Sequence, residues 1–423
     1  MSTGEIIERQ TSRISDERLV ELFNLGDLFM SDFIDARSSS PIKVPLTMAL
    51  DRKSGLLQLK HTAPFDIMYE KYWYRSGINK TMTEELKGIA QRASSLIKCE
   101  KNDIVLDIGC NDGTLLRFYG SNLCKVGFDP AKNLRKYAEK YADLVVTDYF
   151  TAQGYFNKLD KKAKIITSIA MFYDLEEPHK FVDDINAVLD TEGLWIVQMS
   201  YMPLMLKQLA FDNICHEHLE YYSLSSFEYL IKQHDLRIVD VELNDINGGS
   251  FRVYVRKDAS DEHLFATAPY RDVCEIRIKS LLEYESKLNL SEPETYTSWF
   301  KKILELKRET VDFIKSERSK GKTIWGYGAS TKGNTLLQWY GLDNTLIDAI
   351  AERNPTKYGK RTVGTNIPIK SEAEMRQANP DYLLILPWHF ISEFRNREKE
   401  YLNSGGKFIV PCPKFEVTSK CMD

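Results

Sequence analysis

The stretch VLDIGCNDGTLL, residues 105–116, decides the fold. Val105 to Ile108 are apolar apart from one aspartate, the pattern of a strand buried on both faces, and Gly109 stops it at a sharp turn. Asp107 then sits at the strand's carboxyl end. Gly113 is expected to let the backbone approach a ligand, with a helix starting near Thr114. The pattern repeats outward. KVGFDPA (125–131) reads as a second strand with Asp129 and Pro130 at its tip, and LVVTDYF (144–150) as a third ending in Asp148, Tyr149 and Phe150. KIITSIA (164–170) and GLWIVQMSY (193–201) supply a fourth and a fifth, while TLLRFYG, NLRKYAEKYA and PHKFVDDINAVLD read as the helices between strands. Such alternation indicates an α/β, doubly wound parallel sheet covered on both faces. RIVDVEL and SFRVYVRK, joined by NDINGG (244–249), predict an antiparallel hairpin at the sheet edge.

Three strand tips carrying Asp107, Asp129 and Asp148 point to a bound nucleoside. The carboxylate at the second tip is placed to accept hydrogen bonds from ribose hydroxyls. The glycine spacing is G-x-x-x-G, not the G-x-G-x-x-G that cradles a pyrophosphate. A nucleoside without phosphates fits better. S-adenosylmethionine has an uncharged adenosine and a positive sulfonium, and the expected cofactor set is Asp107, Gly109, Cys110, Asn111, Gly113, Thr114, Asp129, Pro130, Asp148, Tyr149 and Phe150.

A second α/β pattern begins at residue 322. KTIWGYGA, TLIDAIAE, PDYLLILPW and GKFIVPCP are its strands, and TKGNTLLQWYG is a helix. In GASTKGNT (328–335), Asn334 stands where a phosphate-binding Walker motif has its lysine, so an NTPase is disfavoured. Gly326, Gly328 and Gly333 also miss the dinucleotide spacing, which counts against a nicotinamide-dependent oxidoreductase. Backbone amides at a helix start, with Lys332 beside them and Arg353 and Asn354 after the next strand, still suit a phosphate-bearing ligand. Residues 260–320 read as charged, bridging helices. A helix over residues 80–98 is expected, capped by Thr81 or Thr83. The turn-like SSSP at 38–41 and the aromatic YEKYWYRSG at 69–77 belong to a small mixed N-terminal region.

NICHEHLEYYSL (213–224) follows the fifth strand, at the carboxyl edge where open α/β sheets bind ligands. Read as extended chain, it puts His216 and His218 on one face and Glu217 on the other. Two histidines and a carboxylate suit either a metal or a general base. His61, His179, His234 and His263 read as scattered over the surface.

The remaining numbers exclude other classes. The 423 residues carry 57 Lys+Arg against 61 Asp+Glu, a net charge of −4, so the chain is not a globally basic nucleic-acid binder. Hydrophobic residues make up 43% and charged residues 28%, a globular and not a disordered composition. MSTGEIIERQ lacks the apolar core of a secretory signal, and no apolar run reaches membrane-spanning length. A cytoplasmic protein is expected. Seven scattered cysteines without a C-x-x-C argue against a disulfide framework and against a cysteine-rich zinc site.

Taken in order, YWYRSG (72–77), VLDIGCNDGTLL, HEHLEYYSL (216–224), NGGSFRVY (247–254), GYGASTKGNTLL (326–337), ERNPTKYGKRTVGTNIPI (352–369) and PDYLLILPW resemble the S-adenosylmethionine-dependent sugar C-methyltransferases. The resemblance covers nearly the whole chain. It implies a small N-terminal domain (1–75), a class I, Rossmann-like methyltransferase domain (76–260) and a C-terminal α/β domain (261–423) that helps hold the sugar nucleotide. The implied reaction is methylation at C3 of a dTDP- or GDP-linked 4-keto-6-deoxyhexose, by a monomer or homodimer with no membrane or nucleic-acid partner. His218 is the candidate base, with Glu217 and His216 as its orienting or charge-balancing partners. Tyr74 is a candidate donor to the ketone oxygen, and Tyr222 lies next in line as a base. Arg252, Gly328, Lys332, Asn334, Arg353 and Asn354 are the candidate substrate residues. No catalytic metal is implied. O- or N-methylation of a similar sugar, or a binding module that has lost catalysis, are the alternatives.

The chain departs from the family in three places. The family usually opens with four zinc-binding cysteines, but here no cysteine precedes Cys99, and DRKSGLLQL (51–59) puts Asp51 and Ser54 at the second pair. Asp174 replaces a common histidine, and Cys215 a common tyrosine.

Overall fold

A computed structural model describes residues 5–35, 42–64, 73–265 and 267–419. SSSP and the first residues of YEKYWYRSG lie outside these. Three sheets of four or more strands make the architecture, with two two-stranded pairs beside them.

The central sheet has seven strands, in spatial order Leu236–Asn244, Ser250–Lys257, Leu189–Ser200, Ala163–Ile169, Ile104–Ile108, Cys124–Phe128 and Leu144–Val146. The five strands from Leu189–Ser200 to Leu144–Val146 pair in parallel. Ser250–Lys257 runs antiparallel between its neighbours, as the edge hairpin requires. This is the class I methyltransferase strand order, with the switch of direction beside Ile104–Ile108, where ligands bind in such sheets.

The segments beyond the strand tips are shorter than the sequence pattern implies. TLLRFYG forms only a three-residue 3-10 turn, Leu116–Phe118, because Leu115, Leu116 and Tyr119 are all buried and Gly120 ends the segment. NLRKYAEKYA keeps one helical turn, Arg135–Ala138. Gly113 (φ +76°) is needed for packing: a Cβ there would lie 2.9 Å from the Ala138 Cα, so its freedom serves that turn and not the ligand. The helix Lys80–Leu96 is capped by Asn79, whose side chain accepts from the Met82 amide, and not by Thr81 or Thr83.

The C-terminal sheet orders Ile369–Ser371, Ala349–Glu352, Ile324–Tyr327, Tyr382–Ile385, Lys407–Val410 and Glu416–Thr418, parallel until its last strand. The strand expected from residue 345 starts at Ala349, because the Asp343 carboxylate holds Thr345 in a turn. The long helix Pro293–Ser319 bridges to the N-terminal sheet, where the Phe300 ring stacks on Phe23 at 4.2 Å.

The third sheet is antiparallel and built from distant parts of the chain: Val20–Phe29, Lys43–Leu50, Leu57–Leu59 and Glu220–Tyr221. Phe33–Ile34 also pairs with Arg361–Thr362. One internal carboxylate organises the loop between two of its strands. Asp51 is fully buried and accepts from Ser15 Oγ (2.7 Å), Ser54 Oγ (2.5 Å) and the amides of Lys53 and Ser54. Close by, the buried Arg13 guanidinium bonds Glu176, Gln58, Thr62 and the Leu59 carbonyl, tying this sheet to the central one.

Two of the four histidines expected on the surface are elsewhere. His234 is buried and bonds both Asp183 (2.7 Å) and His179 (2.8 Å), so this pair joins two helices of the central unit.

Four donors to one carboxylate hold this loop together. Asp51→Ala should lower the unfolding free energy by about 3 kcal/mol, because it strands hydroxyl and amide donors in the interior. Chemical denaturation with and without chelator should give superimposable wild-type curves, and elemental analysis should find no stoichiometric zinc.

Candidate active site

The carboxyl ends of the central strands open into a cavity of about 680 Å³. Asp107, Gly109, Cys110, Asn111, Thr114, Asp129, Pro130, Asp148, Tyr149 and Phe150 all line it. Gly113 does not.

Its donors and acceptors are already oriented. Asp129 accepts from the amides of Asn111 (2.8 Å) and Ala131 (2.9 Å), one on each carboxylate oxygen, which leaves one further acceptor direction on each for a ligand. Burial raises its carboxyl above the usual range. Asp107 is held by Thr167 Oγ1 at 2.6 Å, and burial pushes its carboxyl up to about 7, with Asp129 adding to the rise. Asn111, at φ +50°, accepts from the Ser76 amide and donates to the Tyr74 carbonyl, so it closes the N-terminal segment over the loop. Phe150 packs edge-on against Phe128 and Phe181, and Tyr149 is exposed at the rim. Two desolvated carboxyls and an aromatic wall fit a ligand that combines positive charge with a flat base. S-adenosylmethionine is such a ligand. Met171 and Leu175 after the fourth strand and Phe181 of the next helix also line it, and no motif marks them; Asn247, within NGGSFRVY, lines it too without having been assigned to the cofactor.

Opposite the cofactor loop lies the His-Glu-His segment. It is a tight turn and not an extended strand: the His218 amide donates to the Cys215 carbonyl at 3.1 Å. The turn brings Glu217 and His218 together on the cavity wall and sends His216 the other way. His216 Nε2 meets the Val44 carbonyl at 2.9 Å, inside the N-terminal sheet, and burial lowers its pKa to about 4. That is a structural position. His218 Nδ1 lies 2.8 Å from the Asn213 carbonyl. A carbonyl only accepts, so Nδ1 carries the proton and Nε2 keeps a lone pair. Burial lowers the His218 pKa to about 3, so the ring is neutral across the physiological range. The Tyr173 ring stands edge-on to it, with centroids 4.4 Å apart. Burial pushes Glu217 up to about 7 and Asp174, beside it, well above the carboxylate range. Cys215, Glu217 and His218 bring one donor atom each within 4.8 Å of one another, the one metal-type cluster among the described residues.

Tyr74 is 41% exposed and lines the cavity mouth. Tyr222 is fully buried against Phe172 and Phe227 in the core and does not reach the cavity. Arg252 is also away from it, in an ion network with Glu85 and Glu242 and a bond to Gln198.

The second glycine loop is built differently from its expected role. The Gly328 amide is used by the Ala351 carbonyl, and its missing Cβ clears Pro387. Glu352 accepts from the amides of Ala329, Arg353 and Asn354, so a protein carboxylate already sits where a phosphate was expected. Asn334 donates to the Asp32 carbonyl, Asn354 lies against the Trp73 carbonyl, and Arg353 pairs with Glu393 outside the cavity. Ser330, Thr331 and Lys332 do line the cavity. So does His389, which no motif marked.

Comparison with known proteins adds to this geometry. Residues 78–241 match a family described as methyltransferase domain, and residues 245–413 one described as C-methyltransferase C-terminal domain. The chain is 30% identical over 378 residues to the C-methyltransferase NovU of Streptomyces niveus, covering 89% of this chain and 88% of that one. Among solved structures, the putative methyltransferase bound to the Haloferax volcanii Trm112 activator aligns with 43% of this chain and 94% of its own (17% identity, TM-score 0.35). Magnesium protoporphyrin IX methyltransferase ChlM from Synechocystis PCC 6803 aligns with 41% and 79% (10% identity, TM-score 0.31).

Two measurements check the cofactor wall. Asp129→Ala should weaken S-adenosylmethionine binding by about ten- to a hundredfold, the equivalent of roughly 1.5–3 kcal/mol for a bond to a charged group. The helical signal in circular dichroism should persist. A cationic ligand favours ionised Asp107, so affinity should fall as the pH drops through about 7. Calorimetry should show that Asp107→Asn flattens this dependence.

Proposed function

This chain belongs to the S-adenosylmethionine-dependent C-methyltransferases, and from that premise we propose that it methylates the carbon beside the ketone of a nucleotide-linked 4-keto-6-deoxyhexose, at C3. The observation that carries the reading is His218, a neutral imidazole whose Nδ1 is committed to Asn213 and whose Nε2 is left as a base beside the cofactor cavity. An oxygen or nitrogen acceptor already has a lone pair to attack with. A carbon acceptor has none until a proton leaves, so transfer to carbon needs a group positioned to take that proton.

Bound S-adenosylmethionine supplies a methyl group on a positive sulfur, an electrophile that needs alignment more than activation. The chain's own residues do the rest. Asp107 and Asp129 hold the donor, and the Asn111 contacts to Ser76 and Tyr74 close the mouth. His218 Nε2 takes the proton from the carbon, which leaves an enolate. A positioned base of this kind contributes about 10²–10⁴-fold. Tyr74 at the mouth is placed to donate to a polar group of the sugar. The open amides of Ser330 and Thr331 at the start of a capped helix suit the anionic end of the substrate.

His218→Asn should abolish methylation of a dTDP- or GDP-linked 4-keto-6-deoxyhexose and, without methyl donor, stop deuterium uptake at C3. Cofactor binding should survive. Exchange that continues while transfer fails would move the base elsewhere. Mass spectrometry placing the new methyl on oxygen or nitrogen would overturn carbon as the acceptor.

A further inference from the structure

Lys332 stands in the first turn of the helix Thr331–Tyr340, in the C-terminal unit, yet its ammonium is not turned toward the glycine loop. It donates to the side-chain oxygen of Asn213, on the segment that leads into the His-Glu-His turn. It forms no ion pair among the described residues, although Asp174, Asp212 and Glu217 all feel its charge. A half-buried ammonium on the cavity wall, bonded to one neutral amide, has two N–H groups left for a ligand, and a negative group is the complement it lacks.

Asn213 explains where that group forms. Its backbone carbonyl fixes His218, and its side chain fixes Lys332. The base and the cation are therefore set relative to each other by a single residue. Resting on the C-methylation reading above, we propose that Lys332 is the fixed cation of the proton-abstraction centre, holding the oxyanion that forms when His218 takes the proton. The C–H bond breaks, and its proton goes to Nε2. The electron pair becomes the C=C bond while the carbonyl pair moves onto oxygen, beside the ammonium. The C=C pair then forms the bond to the methyl carbon as the donor's carbon–sulfur bond breaks and leaves its pair on a neutral sulfur; the oxygen pair returns to the C=O bond, and His218 loses its proton to solvent.

The arrangement also times the transfer. After burial, the charge of Lys332 is what most opposes protonation of His218. An oxyanion at Lys332 cancels that opposition. The histidine becomes a better base as the negative charge develops, and not before.

Two measurements with Lys332→Met and Lys332→Arg test this. In the first, kcat for a dTDP-linked 4-keto-6-deoxyhexose should fall about 10²–10³-fold in Lys332→Met, the usual loss for an oxyanion donor. Deuterium uptake should fall in parallel, with KM changed little and part of the rate restored in Lys332→Arg. A raised KM with kcat kept would make Lys332 a phosphate anchor and overturn the proposal. If the wild type itself neither exchanges nor methylates such sugars, the substrate reading fails, and the second measurement decides the role of Lys332 alone. That measurement is the carboxyl titration of Glu217, followed by carbon-13 NMR of glutamate-labelled protein against Glu217→Gln. Glu217 is faced by Lys332, by Asp174 and Tyr173 of the segment after the fourth strand, and by Cys215 and His218 of its own turn. Lys332 is the cation among them, and it favours the carboxylate. Its loss should raise the midpoint from about 7 by roughly one unit or more. An unmoved midpoint would show that the ammonium does not act on this centre.

Discussion

The hydrogen bond from His218 Nδ1 to the Asn213 carbonyl is the constraint on which the site depends. It decides which nitrogen is protonated, and so which can act as a base. Everything that fixes the intervening turn supports it. His216 is tied to Val44, Glu220–Tyr221 pairs with Leu57–Leu59, and the Leu219 amide meets the Tyr173 carbonyl. From the third side, Lys332 holds Asn213, and the Trp388 indole donates to Asp212. All three sheets thus converge on one turn. A histidine outside the cavity and a two-residue strand thus help to fix His218 in place.

Charge is managed by the same enclosure. The cavity contains more carboxyls than cations, and burial raises Asp107, Asp129, Asp174 and Glu217 together. Such a site is costly until it is filled. In the proposed reaction a cationic donor relieves the carboxyls at the Asp107 end, and the oxyanion meets the Lys332 ammonium among Asp174 and Glu217.

Much of this was legible in the sequence because it rests on period and punctuation. Buried strands ending in Gly109 and Asp129 announce the sheet and its cofactor edge, and the hairpin after Leu236 announces the antiparallel member. What was illegible depends on contacts between distant segments. Nothing local says that His216, Glu217 and His218 lie in a turn, so their faces were assigned from the wrong repeat. Arg252 and Tyr222 sit in motif-bearing stretches but spend themselves on an ion network and an aromatic core. Lys332 looked like a phosphate ligand from its neighbours, and only the packing of the C-terminal helix carries it to Asn213.

The N-terminal sheet bears on how the chain is made. Leu57–Leu59 finds one neighbour only when Glu220–Tyr221 exists, and Phe33–Ile34 pairs with Arg361–Thr362. During synthesis the opening segment leaves the ribosome long before those partners. Its strand edges stay unpaired while the central sheet is assembled, a state prone to association with other chains. Loop closure over such separations also slows folding. Val20–Phe29, Lys43–Leu50 and Leu57–Leu59 can pair with one another early, but one edge of Leu57–Leu59 stays open until Glu220–Tyr221 has been made, and a chaperone bound there in that interval would shield it.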